Sequence, residues 1–146
     1  MTADRVEAFR RGDRPDDVAL YLAGETVSDL EELLAQPYAQ KAGDGVIIVT
    51  EGDRGRAVFE QFTGEEAMTF TGAAMQRDGT IAPSLAGGRC PDDEGGTDHD
   101  PVFVFSFVEE QNEDVGGLYA DGDVVHAYAQ CSCGTAYADK WIADER

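Results

Sequence analysis

Thirty acidic side chains against eleven basic ones, spread from Asp4 to Glu145, constrain this chain more than any other feature. The formal net charge is -19 over 146 residues. At low ionic strength such a coat repels itself and opposes compaction. At roughly 1 M salt the Debye length falls to about 3 Å, and most of that repulsion is screened. The acids comprise 17 Asp and 13 Glu, while the cations are nine Arg and two Lys, Lys41 and Lys140. An ordinary acidic protein accounts for the charge but not for the scarcity of Lys. The sequence therefore predicts a cytoplasmic protein adapted to concentrated salt. The dispersal matters too, because a terminal acidic arm would read as an interaction tail. No basic face can be assembled from so few cations, so a DNA or RNA partner is not expected. Arg10, Arg11 and Arg14 form one basic cluster, read as a helix C-terminus complementing its dipole.

Leu, Ile, Val and Phe make up 30 of the 146 residues, near the border with intrinsically disordered chains. Ordered apolar runs place the chain on the folded side. None approaches about 18 residues, so no membrane span is expected. The first residues, MTADRVEAFRRGDR, lack the apolar core of a signal peptide. The length suits one domain covering residues 1–146, without repeats or a linker.

Thr2 can cap a short helix ended by Gly12. Val18, Leu20 and Leu22 alternate with Ala19 and Tyr21 as a strand does. Ser28-Asp29-Leu30-Glu31 is a capping box, and Leu30, Leu33 and Leu34 form the apolar stripe of the helix it opens. Pro37 can end or bend that helix. Val46-Ile47-Ile48-Val49 reads as a strand buried on both faces. A turn is expected over Gly52-Asp53-Arg54-Gly55, followed by a helix over 57–62, with a hairpin strand as its alternative. The turn lacks the Lys-Ser/Thr of a P-loop. Short strands are expected over Ala67–Met75 and Thr80–Leu85, joined at Asp78-Gly79. Residues 87–101 form a long, flexible acidic loop. In Val102–Val108, the three Phe face one side and the three Val, with Ser106, the other, as in a central strand. Asp121-Gly122 signals a hairpin turn before a strand over Val124–Gln130. Thr135 can cap a terminal helix in which Tyr137 and Trp141 share a face. The order predicts an α+β fold, an antiparallel or mixed sheet packed by two or three helices, with doubly wound α/β as the alternative.

Cys131-Ser132-Cys133-Gly134 is the most distinctive tetrapeptide. On a strand, positions 131 and 133 project from one face, so their sulfurs converge, and converging thiolates hold a soft metal such as zinc. Cys90 and His126 are the expected completions, with His99 a further histidine. His126 needs a bulge or turn to reach the Cys131 side. The same pair could serve thiol redox chemistry, through a small and strained ring, or could simply pack beside Ala127 and Ala129. The acidic loop Asp92–Asp100 matches no calcium-binding spacing.

The tetrapeptide resembles one knuckle of a zinc ribbon, shortened by one residue and without a second knuckle. The dispersed acidic coat and the CSCGTAYADKW ending resemble small uncharacterised proteins of salt-loving archaea, a group of unknown function. Two function classes follow. One is a non-enzymatic binding or interaction module, with a protein partner or a second copy of the chain. The other is a small metal- or thiol-dependent enzyme using the Cys131/Cys133 region.

Overall fold

Runs of Val, Ile and Phe are too dense for a sheet wetted on either side, and the chain buries both faces of one. The computed structural model describes residues 6–9, 11–12, 16–24, 30–36, 39–42, 45–81, 85, 88–91, 101–110, 114, 116–117, 120 and 122–143. A helical turn at residues 6–9 precedes β1 (Asp17–Leu22), α1 (Leu30–Leu34), β2 (Ala39–Ala42) and β3 (Gly45–Glu51). Next come α2 (Gly52–Thr63), α3 (Ala67–Ala74) and the two-residue strands β4 (Thr80–Ile81) and β5 (Gly88–Arg89). The chain closes with β6 (Pro101–Glu109), β7 (Val124–Cys131) and β8 (Ala136–Ile142).

Six strands form one sheet in the order β2-β3-β1-β6-β7-β8, and β4 pairs with β5 separately. Every strand pairing is antiparallel. That agrees with α+β and excludes the doubly wound alternative, whose crossovers require parallel neighbours. Ala39, Ile48, Leu20, Phe105, Tyr128 and Ala138 form one cross-strand row. Helices α2 and α3 cover this face with Val58, Phe59, Ala67, Phe70 and Ala74, and Leu33 joins them. The adjacent row, Ile47, Tyr21, Val104, Ala129 and Tyr137, faces the other way. Val6, Phe9, Ile81, Leu85 and Cys90 cover it. Burial on both faces explains why β1 and β3 read as continuous apolar runs although their sheet is antiparallel.

The Phe residues of β6 anchor the helical layer. Phe59 meets Phe103 and Phe105 edge-on at 5.3 and 5.4 Å and lies 5.4 Å from Phe70. Ser106 is fully buried between β1 and β7, and its hydroxyl donates to the Ala19 carbonyl at 3.0 Å. A register irregularity between Pro101 and Phe103 turns Val102 onto the Phe side, so β6 splits its faces as expected only from Phe103 onward.

Three expectations change. Ala67–Ala74 is a helix, not a strand: its buried residues Ala67, Phe70, Thr71 and Ala74 follow helical spacing, and Gly64 ends the preceding helix at φ 76°. The expected turn at Gly52–Gly55 is the first turn of α2, where Gly55 lies so close to Val18 that a Cβ would collide with it. The expected terminal helix is β8, an antiparallel partner of β7 from Ala136 to Ile142. Tyr137 and Trp141 still share a face. Of the strand expected over Thr80–Leu85, Thr80–Ile81 form β4, and residues 82–84 lie outside the described residues. Gly12, at φ 81°, follows the first helical turn as its stop signal implied. Thr2, Arg10, Arg14, Ser28, Asp29, Pro37, Asp121 and positions 92–100 of the loop expected over 87–101 lie outside the described residues, whereas Gly88–Arg89 within that loop form β5 and Cys90 is buried. No helix among the described residues is long and apolar enough to cross a membrane.

Candidate metal centre

The site begins with a tight turn. Strand β7 ends at Cys131, whose N–H donates to the Thr135 carbonyl at 2.8 Å, and the Gly134 N–H returns to the Cys131 carbonyl at 2.9 Å. Gly134 sits at φ 97°, a conformation a side chain would strain. The turn carries Cys133 past the strand end. The two cysteines therefore approach through a hairpin loop, not through the face-sharing of an extended strand.

Cys90 arrives from the β4–β5 hairpin. That hairpin is fixed to β8: the Ile81 N–H donates to Asp139 Oδ2 at 3.0 Å, and the Gly79 N–H donates to the Ala138 carbonyl at 3.0 Å. Gly79 is packed so closely on the Tyr137 ring that a Cβ would collide with it. Tyr137 is 1% exposed, and burial, reinforced by the neighbouring cysteine sulfurs, pushes its hydroxyl pKa up. A buried aromatic wall thus underlies the segment that delivers Cys90.

The outcome is a cluster of three thiols. All three sulfurs lie within 4.8 Å of one another, and Cys90 Sγ is 3.8 Å from Cys133 Sγ. Bonds of about 2.3 Å to a tetrahedral zinc ion would space sulfurs by about 3.8 Å, so the pair is already at ligand spacing. No pair is disulfide-bonded. Cys90 and Cys131 are buried and Cys133 is exposed, so the cluster opens to solvent on one side. The thiol of Cys133 is lowered to about 6, first by the Thr135 hydroxyl at 3.4 Å, then by the Thr135 backbone, against a small opposing effect of burial. Cys131 and Cys90 lower it further. The arrangement suits thiolate chemistry: soft-metal ligation or nucleophilic attack from Cys133.

His126 is not part of this cluster. The pairing of β7 with β8 runs without interruption from Val124 to Gln130, so no bulge reverses the strand. His126 consequently faces the helical side, stacked on Phe107 at 5.1 Å with Nε2 3.3 Å from Glu109 Oε1. It lines a cleft of about 430 Å³ with Met75, Asp78, Tyr128 and Lys140. These residues come from three separate segments and share no sequence pattern. His99 lies outside the described residues.

Burial lowers the His126 pKa below 6.5, Glu109 opposes that by charge and hydrogen bonding, and Lys140 adds to the lowering. The unfolded chain therefore binds more protons just below pH 6.5, and this histidine's contribution to stability is lost as pH falls through that window. In an NMR titration the His126 ring should titrate below 6.5, and Glu109→Gln should move it lower still. A midpoint above 6.5, or an upward move in the variant, would contradict this placement.

A family of unknown function, DUF5807, has a model that matches residues 39–144. No curated protein and no solved structure matches the chain. The matched span contains β2 to β8 and all three cysteines.

Proposed function

The chain belongs to this family of unknown function, and on that premise we propose that it is a metal-binding module holding zinc through Cys90, Cys131 and Cys133. The observation that carries the reading is the convergence of three sulfurs from two separate hairpins within 4.8 Å. Sulfur ligands favour zinc over calcium or magnesium, which take oxygen. A cysteine-only iron–sulfur cluster needs four thiolates, and the chain has three. Three protein ligands would leave zinc one further position, and the cluster is open to solvent at Cys133.

The ion would clip the β4–β5 hairpin to the β7–β8 turn, contributing to folding as structural zinc does. A small metal- or thiol-dependent enzyme is the second reading, favoured by that open side and by the activated Cys133. The scarcity of Lys supports a setting of concentrated salt in the cytoplasm of a salt-loving archaeon. The outer edge of β8 is bridged at Ala138 by Arg77 and Asp78, which argues against a protein partner or a second copy adding a strand at that edge.

Elemental analysis tests the metal. Protein purified in high salt without a polyhistidine tag should carry about one zinc per chain. The Cys131→Ala, Cys133→Ala double variant should lose it, and His126→Ala should keep it. Three freely reactive thiols and no metal would end this reading.

A further inference from the structure

The three thiols are chemically unequal, and the difference is one of access. Cys90 and Cys131 are each 2% exposed, whereas Cys133 stands exposed at the tip of its turn. An oxidant in solution meets Cys133 first. Of the two sulfurs that could close on it, Cys131 is two positions away along the chain, and a bridge there would form a small ring strained by the turn's backbone bonds. Cys90 is 43 positions distant in sequence, yet its sulfur is only 3.8 Å away. Contact at a disulfide length of about 2.05 Å needs a sulfur displacement of under about 2 Å, within reach of a side-chain rotation at an exposed turn.

We propose that the centre is oxidant-gated: a hydroperoxide oxidises Cys133, Cys90 closes a disulfide onto it, and the metal is released. The gating deepens the zinc reading and rests on it for its consequence, though the disulfide step does not need the metal. In the first step the Cys133 sulfur attacks the peroxide and the O–O bond breaks. The sulfur takes the terminal OH as a sulfenic acid, and the other oxygen leaves, taking up a proton, as water from hydrogen peroxide or as an alcohol from an alkyl hydroperoxide. In the second step Cys90 attacks the sulfenic sulfur, the S–O bond breaks and water leaves. Two thiols have lost two electrons and the peroxide has gained them. A dithiol reductant reverses the change. Two of the three sulfur ligands are consumed, and Cys131 alone does not hold zinc. Buried Cys131 stays reduced, and cutting the bridge restores Cys90 and Cys133 beside it.

The test uses the whole chain in high-salt buffer, loaded with zinc, with a chromogenic zinc chelator present and hydrogen peroxide added stepwise. Zinc should appear in proportion to the loss of two thiols per chain. Peptide mapping under non-reducing conditions should show Cys90 joined to Cys133 and Cys131 free, and a dithiol should restore both thiols and binding. In Cys90→Ser, a cyclic-dione probe should trap a sulfenic acid on Cys133. A Cys131–Cys133 bridge, or peroxide oxidation that leaves zinc in place, overturns the gating while the zinc reading stands. If no zinc loads at the outset, the metal reading falls by itself and release falls with it, while the peptide map still decides whether Cys133 and Cys90 pair.

Discussion

Phe59→Ala should lower the unfolding free energy by about 3–5 kcal/mol, the range for removing a fully buried aromatic ring. Phe59 is 0% exposed and sits where α2 meets the sheet. Its ring touches Phe70 of α3 and both Phe103 and Phe105 of the central strand β6. Removing it forfeits edge-to-face contacts with two strand residues and leaves a cavity lined by rings that backbone pairing holds in place. The site cannot collapse easily, so the upper half of the range is expected. Phe59→Leu, which refills most of the volume, should lose considerably less. Met68→Ala is the control: Met68 is 65% exposed on the neighbouring helix, and its loss should stay within about 0.5 kcal/mol. Denaturant midpoints in high salt give the comparison. A Phe59→Ala protein as stable as the parent would mean that α2 does not pack on β6 as described.

The same strand shows what a sequence pattern can carry. Phe103, Phe105 and Phe107 alternate with Val104, Ser106 and Val108, and it is the short length and the aromatic and β-branched enrichment of the run, more than its period, that mark a strand buried on both faces. Val46–Val49 was legible for a related reason, since four β-branched residues in succession fit little besides a buried strand. The misread segments are those whose spacing serves two periods. Tyr137 and Trp141 are four apart, which aligns them on a helix and on a strand alike. Thr135 next to that pair looked like a cap, yet the chain closes a hairpin there because Cys131 and Thr135 hydrogen-bond across it. In Ala67–Met75 the threonines and Phe70 carried strand propensity, while Ala67, Phe70, Thr71 and Ala74 already held the helical spacing. Tertiary burial under β7 and β8 decided between them.

The candidate centre divides similarly. Cys131 and Cys133 were visible as a pair because they are neighbours in sequence, but the strand argument for their convergence was not the one the fold uses. Cys90 could be proposed only as one of a few remaining ligands, for its approach depends on Asp139 and Ala138 fixing a short hairpin 50 or more residues earlier in the chain. His126 could be judged from parity alone: five residues before Cys131, it falls on the opposite face unless the strand bulges, and the pairing is unbroken. The cleft it lines had no local signal, since Met75, Asp78 and Lys140 meet only after the sheet is assembled.

Transfer from about 1 M potassium chloride to dilute buffer should destabilise the protein by several kcal/mol, lowering Tm by roughly 10 °C or more. The net charge is -19, and Glu60, Glu65 and Glu66 stand exposed within seven positions at the end of α2 and the start of α3. A pair of like charges 4 Å apart in water costs only about 1 kcal/mol. Summed over a net charge of -19, such repulsions accumulate toward the 5–15 kcal/mol by which a domain is usually stable. Salt at molar strength removes most of this cost, because a Debye length of about 3 Å is shorter than the typical spacing of surface charges. Circular dichroism through thermal unfolding at descending salt measures the effect. Both zinc-loaded and metal-free protein should be followed, so that loss of an ion is not mistaken for loss of screening. Sodium and potassium chloride should act alike if screening dominates, and a difference between them would indicate specific hydration of the carboxylates. Exchanging Glu60, Glu65 and Glu66 together for Gln should reduce the salt requirement while leaving the sheet and the three thiols untouched. Equal stability in dilute buffer would overturn the salt adaptation, because the apolar layers on both faces of the sheet would then be sufficient to hold the unscreened coat together.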